Sequence, residues 1–189
     1  MLLKSDAVEM RCTDWSRDGR FIIYERSDPK TSYDLWVLPL TGGQKPFPFL
    51  QTEFNESQGR FSPTGAHVAY TSNESGRNEV YVRPFPAASG KVQVSTDGGD
   101  QPRFRRDGKE LFYLAPDRRL MTVAVKGGES FEAGLPQALF ETRIRDVTIR
   151  RYHYDVTGDG ERFLVNTAVE QKASAPITLV LNWTADLKR

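Results

Sequence analysis

The chain has 189 residues, with 26 Lys and Arg against 25 Asp and Glu and a formal charge of +1, which suits one domain and offers no bulk field for nucleic acid or an anionic membrane. Its single cysteine, Cys12, excludes an internal disulfide and a cysteine-based zinc site, and leaves the compartment open. Residues 1–6 contain no apolar run of the kind that heads a secretory signal, and no stretch reaches the ~20 apolar residues of a membrane-spanning helix.

Taken in chain order, the predicted elements repeat. Residues 1–10 are mixed, and Leu2 and Leu3 read as the tail of a strand. From Arg11 a strand leads through Trp15 to the turn Ser16-Arg17-Asp18-Gly19, then to the apolar run Phe21-Ile22-Ile23-Tyr24. An alternating third strand follows over Tyr33–Leu40, Thr41-Gly42-Gly43 turns the chain, and Lys45–Leu50 makes a fourth. Pro46 and Pro48 bar that last segment from a sheet centre but suit an outer edge.

The plan recurs with Phe61, the turn Ser62-Pro63-Thr64-Gly65 and Val68-Ala69-Tyr70, then with strands over 78–83 and 91–94. A third copy has Phe104, Arg105-Arg106-Asp107-Gly108 and Leu111-Phe112-Tyr113, followed by strands over 120–125 and 138–140. A longer connection from Glu141 to His153 precedes the fourth copy, which has Val156, Thr157-Gly158-Asp159-Gly160, Phe163-Leu164-Val165 and a strand over 177–183. The turn glycines Gly19, Gly65, Gly108 and Gly160 are 46, 43 and 52 residues apart. A small sheet recurring at this period stacks on its neighbours, because it cannot bury both of its own faces.

Asp-Gly in three of the four turns predicts hairpins. The short, nearly continuous apolar runs after them predict strands covered on both faces, and the aromatic residue that opens a copy is expected in the core. Four hairpin-linked strands per unit, with about four units, define an all-β chain and a β-propeller of about four four-stranded blades, with the units at 11–50, 57–95, 101–141 and 152–183 of a single domain spanning 1–189. Four blades lie at the small end of the range for propellers, so a partial propeller is expected. The end blades would then expose apolar faces and self-associate. If instead the four units close by themselves, residues 1–5 should pair beside Ile177 to Asn182 and cover an open edge.

The aligned Trp/Phe-Ser-x-Asp-Gly-x-x-Ile-x-Tyr copies, with Asp34-Leu35-Trp36-Val37 and Thr41-Gly42-Gly43, resemble the TolB-type (WD-like) propeller repeat from about Thr13 to Trp183. Tyr154-Asp155-Val156, Asp159-Gly160, Arg162-Phe163-Leu164 and Leu181-Asn182-Trp183 resemble the C-terminal end of propellers that follow the kinase domain in some bacterial serine/threonine protein kinases. The resemblance implies a non-catalytic scaffold for a protein or another ligand, often outside the cytoplasm and part of a larger, membrane-anchored protein. The repeat's proline is kept only as Pro63, and Thr64 stands where the family has Asp.

Catalytic machinery is not expected. There is no glycine-rich phosphate loop with a strand lysine, and no His-Arg-Asp or Asp-Phe-Gly triplet. No Gly-x-Ser-x-Gly elbow occurs, and Ser130 lacks the second glycine. The alternative function is therefore the propeller gate of a prolyl-oligopeptidase-like hydrolase, by analogy of fold. His67 and His153 fall at opposite ends of their strands, so neither a metal nor a cofactor is expected. The carboxylates of the loop Asp97-Gly98-Gly99-Asp100 could touch a cation, but Asp and Gly are turn formers and the loop reads first as a solvated turn between sheets. The run of Arg143, Arg145, Arg150 and Arg151 reads as a solvated loop, because Glu141, Asp146 and Asp155 interleave with it, and the sharper alternative is a local anion or acidic-partner patch at Arg150 and Arg151. A protein or small-ligand partner, with no nucleic acid, is expected at the loops that precede the first strand of each unit. Asp100, Gln101, Arg151 and His153 are the candidate contact residues.

Overall fold

The computed structural model describes residues 9–86, 90–128, 130–144 and 152–167. They form four antiparallel sheets in chain order. The first is β1 (Met10–Trp15), β2 (Phe21–Asp28), β3 (Ser32–Pro39) and β4 (Phe47–Leu50), and the second is β5 (Glu56–Phe61), β6 (His67–Ser72), β7 (Glu79–Pro84) and β8 (Val92–Gln93), each in the order of the chain. The third has β9 (Asp100–Phe104), β10 (Glu110–Leu114) and β11 (Arg119–Lys126), with β12 (Glu132–Ala133) and β13 (Gln137–Glu141) both paired to β11. The fourth is described through β14 (Tyr154–Val156) and β15 (Phe163–Val165). The fold is an all-β propeller.

The hairpins from first to second strand share one chemistry. In each, the turn glycine donates back to the first turn residue: Gly19 to Ser16, Gly65 to Ser62, Gly108 to Arg105 and Gly160 to Thr157, all at 2.9 Å. The four glycines have φ between 73° and 77°, a left-handed conformation that a Cβ disfavours. The Asp-Gly pair therefore closes a longer loop with a left-handed final residue, one of the common hairpin connections, in place of the two-residue turn that Asp-Gly most often signals. Asp18, Asp107 and Asp159 each accept the N–H two residues on, at 3.0, 3.0 and 3.1 Å. Thr64 does the same for Ala66 at 3.4 Å, the weaker hydroxyl version of that contact.

The core lies between sheets, as stacking requires. Ile23, Leu35, Val37, Phe49 and Leu50 of the first sheet meet Phe61, Val68, Tyr70 and Tyr81 of the second. Ala69, Val80, Val82 and Val94 meet Leu111, Tyr113, Val123 and Val125. Phe112, Leu114 and Leu120 meet Tyr154 of the fourth sheet, with Ile144 from the connection between them. Every residue of β6 is buried, as its continuous apolar run predicts. β4 is outermost in its sheet, where Pro48 costs no central ladder bond. The third sheet differs from expectation in having β12, a short strand that shares the outer position with β13.

Trp15 corrects the expectation that the aromatic opening each unit is core. Its side chain is 60% exposed, whereas the equivalent Phe61 is 7% exposed. Phe61 has β2 and β3 of the first sheet beside it, while Trp15 stands at the mouth of an axial cavity. The proposed pairing of residues 1–5 with 177–182, and the strand over 177–183, fall outside the described residues.

At Gly59 the backbone of the second sheet packs closely on side chains of the first. A Cβ there would lie 2.6 Å from Ile23 Cδ1 and 3.2 Å from Leu35 Cδ2, both fully buried side chains with no room to yield. Gly59→Ala should lower stability by about 1–3 kcal/mol through overpacking, read as a lower denaturant midpoint with an unchanged slope.

Candidate ligand-binding site

The first strands of the sheets, β1, β5, β9 and β14, converge on one cavity. Three of them carry a bulge. Thr13 is the extra residue in β1, Gln58 and Gly59 together oppose Tyr70, and Gln101 and Pro102 together oppose Tyr113. Gln58 and Gln101 have φ of 57° and 60°, the left-handed conformation that bulges use to turn a strand.

These bulges tie neighbouring sheets together through buried amide groups. The Gln58 N–H donates to Glu25 Oε1 at 2.8 Å, and the Gln58 side-chain oxygen accepts the Gln101 N–H at 2.8 Å and the Thr71 hydroxyl at 2.9 Å. The Gln101 side-chain oxygen accepts the His153 N–H at 2.7 Å, and the Tyr154 hydroxyl donates to the Gln101 carbonyl at 2.8 Å. Because a backbone N–H can only donate, the Gln101 amide orientation is fixed. Its nitrogen therefore faces His153 Nδ1, 3.0 Å away, and that ring nitrogen accepts. Gln58, Gln101 and His153 are equivalent, each seven residues before its turn glycine. The same place in the first unit is Cys12, which has no amide, and Glu25 of the adjacent strand supplies the acceptor.

Two residues further along, the equivalent positions are Asp14, Arg60, Arg103 and Asp155. Arg60 pairs with Asp14 at 3.2 Å, and Asp14 also accepts the Phe61 N–H at 2.9 Å. Arg103 pairs with Asp155 at 3.2 Å. Tyr152 serves both arginines, its ring centre 4.2 Å from the Arg60 guanidinium carbon and 4.6 Å from that of Arg103. Such cation–π contacts strengthen as water is removed, and the two arginine side chains are only 17% and 15% exposed.

Burial lowers the Arg103 pKa, and the nearby positive charge of Arg60 lowers it further. For Arg60 the burial penalty is outweighed by Tyr152 and Asp14, and its pKa rises. Burial pushes the Tyr152 hydroxyl up to about 12 against the opposing pull of both arginines. That hydroxyl lies beside Arg60 without a well-formed hydrogen bond, and the Nε atoms of Arg60 and Arg103 are likewise buried without a hydrogen-bond acceptor. A buried polar group in that state costs about 1–3 kcal/mol. The cavity beside them is about 290 Å³ and opens between the hairpins, with Trp15, Arg17 and Arg106 at its edge.

The residues expected to contact a partner sit at the other end of the first strands. Gln101 is fully buried and its amide is engaged inside the molecule, so it positions the strands and presents nothing to a partner. His153 is half-buried and held by Gln101, Asp100 is half-buried with the Asn78 amide nitrogen 3.3 Å from each carboxylate oxygen, and Arg151 lies outside the described residues. The structure brings Gln101 and His153 together. The expected contact residues do not include the four axial charges, although every unit has a charged residue five places before its turn glycine.

No protein-family model matches the sequence, and no match is found among curated proteins. In structure the chain is similar to "putative TolB from Agrobacterium tumefaciens", at 15% identity and a TM-score of 0.57, covering 71% of this chain and 52% of that one. It is also similar to TolB from Acinetobacter baumannii, at 14% identity and a TM-score of 0.55, covering 77% and 34%. A third similar structure is a puromycin-hydrolyzing peptidase of Mycobacterium tuberculosis, at 19% identity and a TM-score of 0.55, covering 78% and 26%. The chain thus spans about half, or less, of the length of these structures. At such identities the likeness defines the fold: a β-propeller resembling those of TolB and of peptidases.

Two predictions follow from the buried polar groups. Gln101→Ala strips the acceptor from the His153 N–H and should cost about 1–3 kcal/mol, measured by denaturant unfolding, with protection of the fourth sheet from hydrogen exchange falling first. At the loop end, burial raises Glu56 to about 7, against the Thr52 hydroxyl bond and helped by Asp34, and raises Asp100 to about 6, partly offset by Asn78. Both folded values exceed the ordinary carboxyl range, so the stability they confer is complete near pH 4 and is lost as pH rises through 6 to 7. Glu56→Gln should therefore stabilise the protein at pH 8 by an amount on the order of 2 kcal/mol and make no difference at about pH 4, read from melting curves at both pH values.

Proposed function

We propose that the chain is a non-catalytic propeller scaffold that binds a ligand or partner as the sensory or interaction part of a larger protein, of the bacterial receptor-like kinase kind. The observation that carries this reading is the axial cavity, where side chains from all four sheets meet. Its wall holds arginines paired with aspartates, so the charged groups there are engaged with one another. A rigid wall of strands with charged groups already in place suits recognition, because little ordering remains to be done on binding. The kinase association draws on the resemblance around Tyr154-Asp155-Val156 and Arg162-Phe163-Leu164.

A second reading is a gate for a hydrolase domain carried elsewhere in the parent chain. It is favoured by the similarity to the puromycin-hydrolyzing peptidase, of which this fold covers 26%.

The parent coding sequence separates the two readings, and a direct assay tests the absence of catalysis that they share. The chain should not turn over aminoacyl nitroanilides or nucleotides above background, and turnover lost on a single substitution would overturn the scaffold. In the parent coding sequence, the scaffold reading expects a kinase domain and membrane span upstream, while a Gly-x-Ser-x-Gly hydrolase domain downstream would instead establish the gate.

A further inference from the structure

We propose that the axial cavity takes a small oxyanion ligand, with a carboxylate or phosphate group carried on a flat apolar body. This rests on the reading of the chain as a binding scaffold, and it names the ligand class. The charge count favours an anion, since the lining holds Arg17, Arg60, Arg103 and Arg106 against Asp14 and Asp155. Asp14 is already engaged by Arg60 and by the Phe61 N–H. Among the described residues, neither Arg17 nor Arg106 has a carboxylate within ion-pair distance; Arg17 instead donates to the Arg106 carbonyl at 3.4 Å.

Donor supply points the same way. A guanidinium presents its N–H groups as a planar fork that matches two oxygens of a carboxylate or phosphate. The two guanidiniums share one tyrosine ring, and each depends on a single carboxylate for compensation. An oxyanion between them would relieve their mutual repulsion.

Shape defines the rest of the ligand. Trp15 holds a flat apolar surface in water at the cavity mouth, with Phe61 and Phe104 in the wall. A planar group on the anion would cover Trp15, and a volume of about 290 Å³ accommodates a ring with one anionic substituent.

The test is calorimetric titration of the whole chain with phenyl phosphate, benzoate and inorganic phosphate in a low-chloride buffer. Tryptophan fluorescence is followed in parallel, with Trp15→Phe separating the Trp15 signal from that of Trp36 and Trp183. Saturable binding of phenyl phosphate or benzoate is expected, tighter than that of inorganic phosphate, weakening with salt and quenching Trp15. Preference between the two aromatic anions identifies the group as phosphate or carboxylate. The double variant Arg17→Gln with Arg106→Gln, confined to exposed side chains, should weaken binding about tenfold with an unchanged melting curve. Arg103→Lys keeps the buried charge but loses the fork, and should weaken it comparably. Absence of saturable binding by either aromatic anion, or equal affinity in wild type and both variants, would overturn the oxyanion site. Release of phenol from phenyl phosphate would support the anion site while overturning the non-catalytic reading.

Discussion

A bulge in a buried strand frees a backbone N–H, and that N–H must find an acceptor where water cannot reach. In this propeller the acceptor comes from the neighbouring sheet. Glu25 serves Gln58, Gln58 serves Gln101, and Gln101 serves His153. Each link uses a charged or amide side chain at 0–2% exposure, so breaking one leaves a donor unpaired in an apolar setting. The apolar cores between sheets favour close stacking in general, but burial has no direction. The amide links fix which strand lies opposite which, and so set how the first strands converge.

That convergence creates the site. A bulge re-aims the strand beyond it, and Asp14, Arg60 and Arg103 each follow one. Three charged side chains thereby reach one axis, where Asp155 of the fourth sheet joins them, and the limited access of water to Arg60 and Arg103 makes their pairing and their Tyr152 contacts count for more than on a surface. The opposite end of the same strands carries carboxyls with raised pKa values, Glu56 and Asp100. One molecule thus has a basic mouth between its hairpins and a proton-binding region at its inter-sheet loops, about one strand length apart.

The correction at Trp15 and the burial of Gln101 have one cause. Sequence patterning places residues on a face of a strand, but whether that face is covered depends on the neighbour supplied by a distant part of the chain. Phe61 has the first sheet against it and Trp15 has the cavity mouth, although both occupy the same repeat position. Gln101, in a polar loop sequence, reads as a surface residue until the fourth sheet covers it with Tyr154 and His153.

The sequence by itself determined the repeat. Turn glycines, the Asp or Thr that caps each turn, the short apolar runs and the edge prolines are local features, and their chemistry acts within a few residues of chain. They therefore specify hairpins, strand order within a sheet and, through the period, stacking into a propeller. Only the tertiary structure decided which charges meet. Asp14 and Arg60 are 46 residues apart, and Arg103 and Asp155 lie in different sheets. Their pairing follows from how the stacked sheets meet, through hydrogen bonds between residues far apart in the chain.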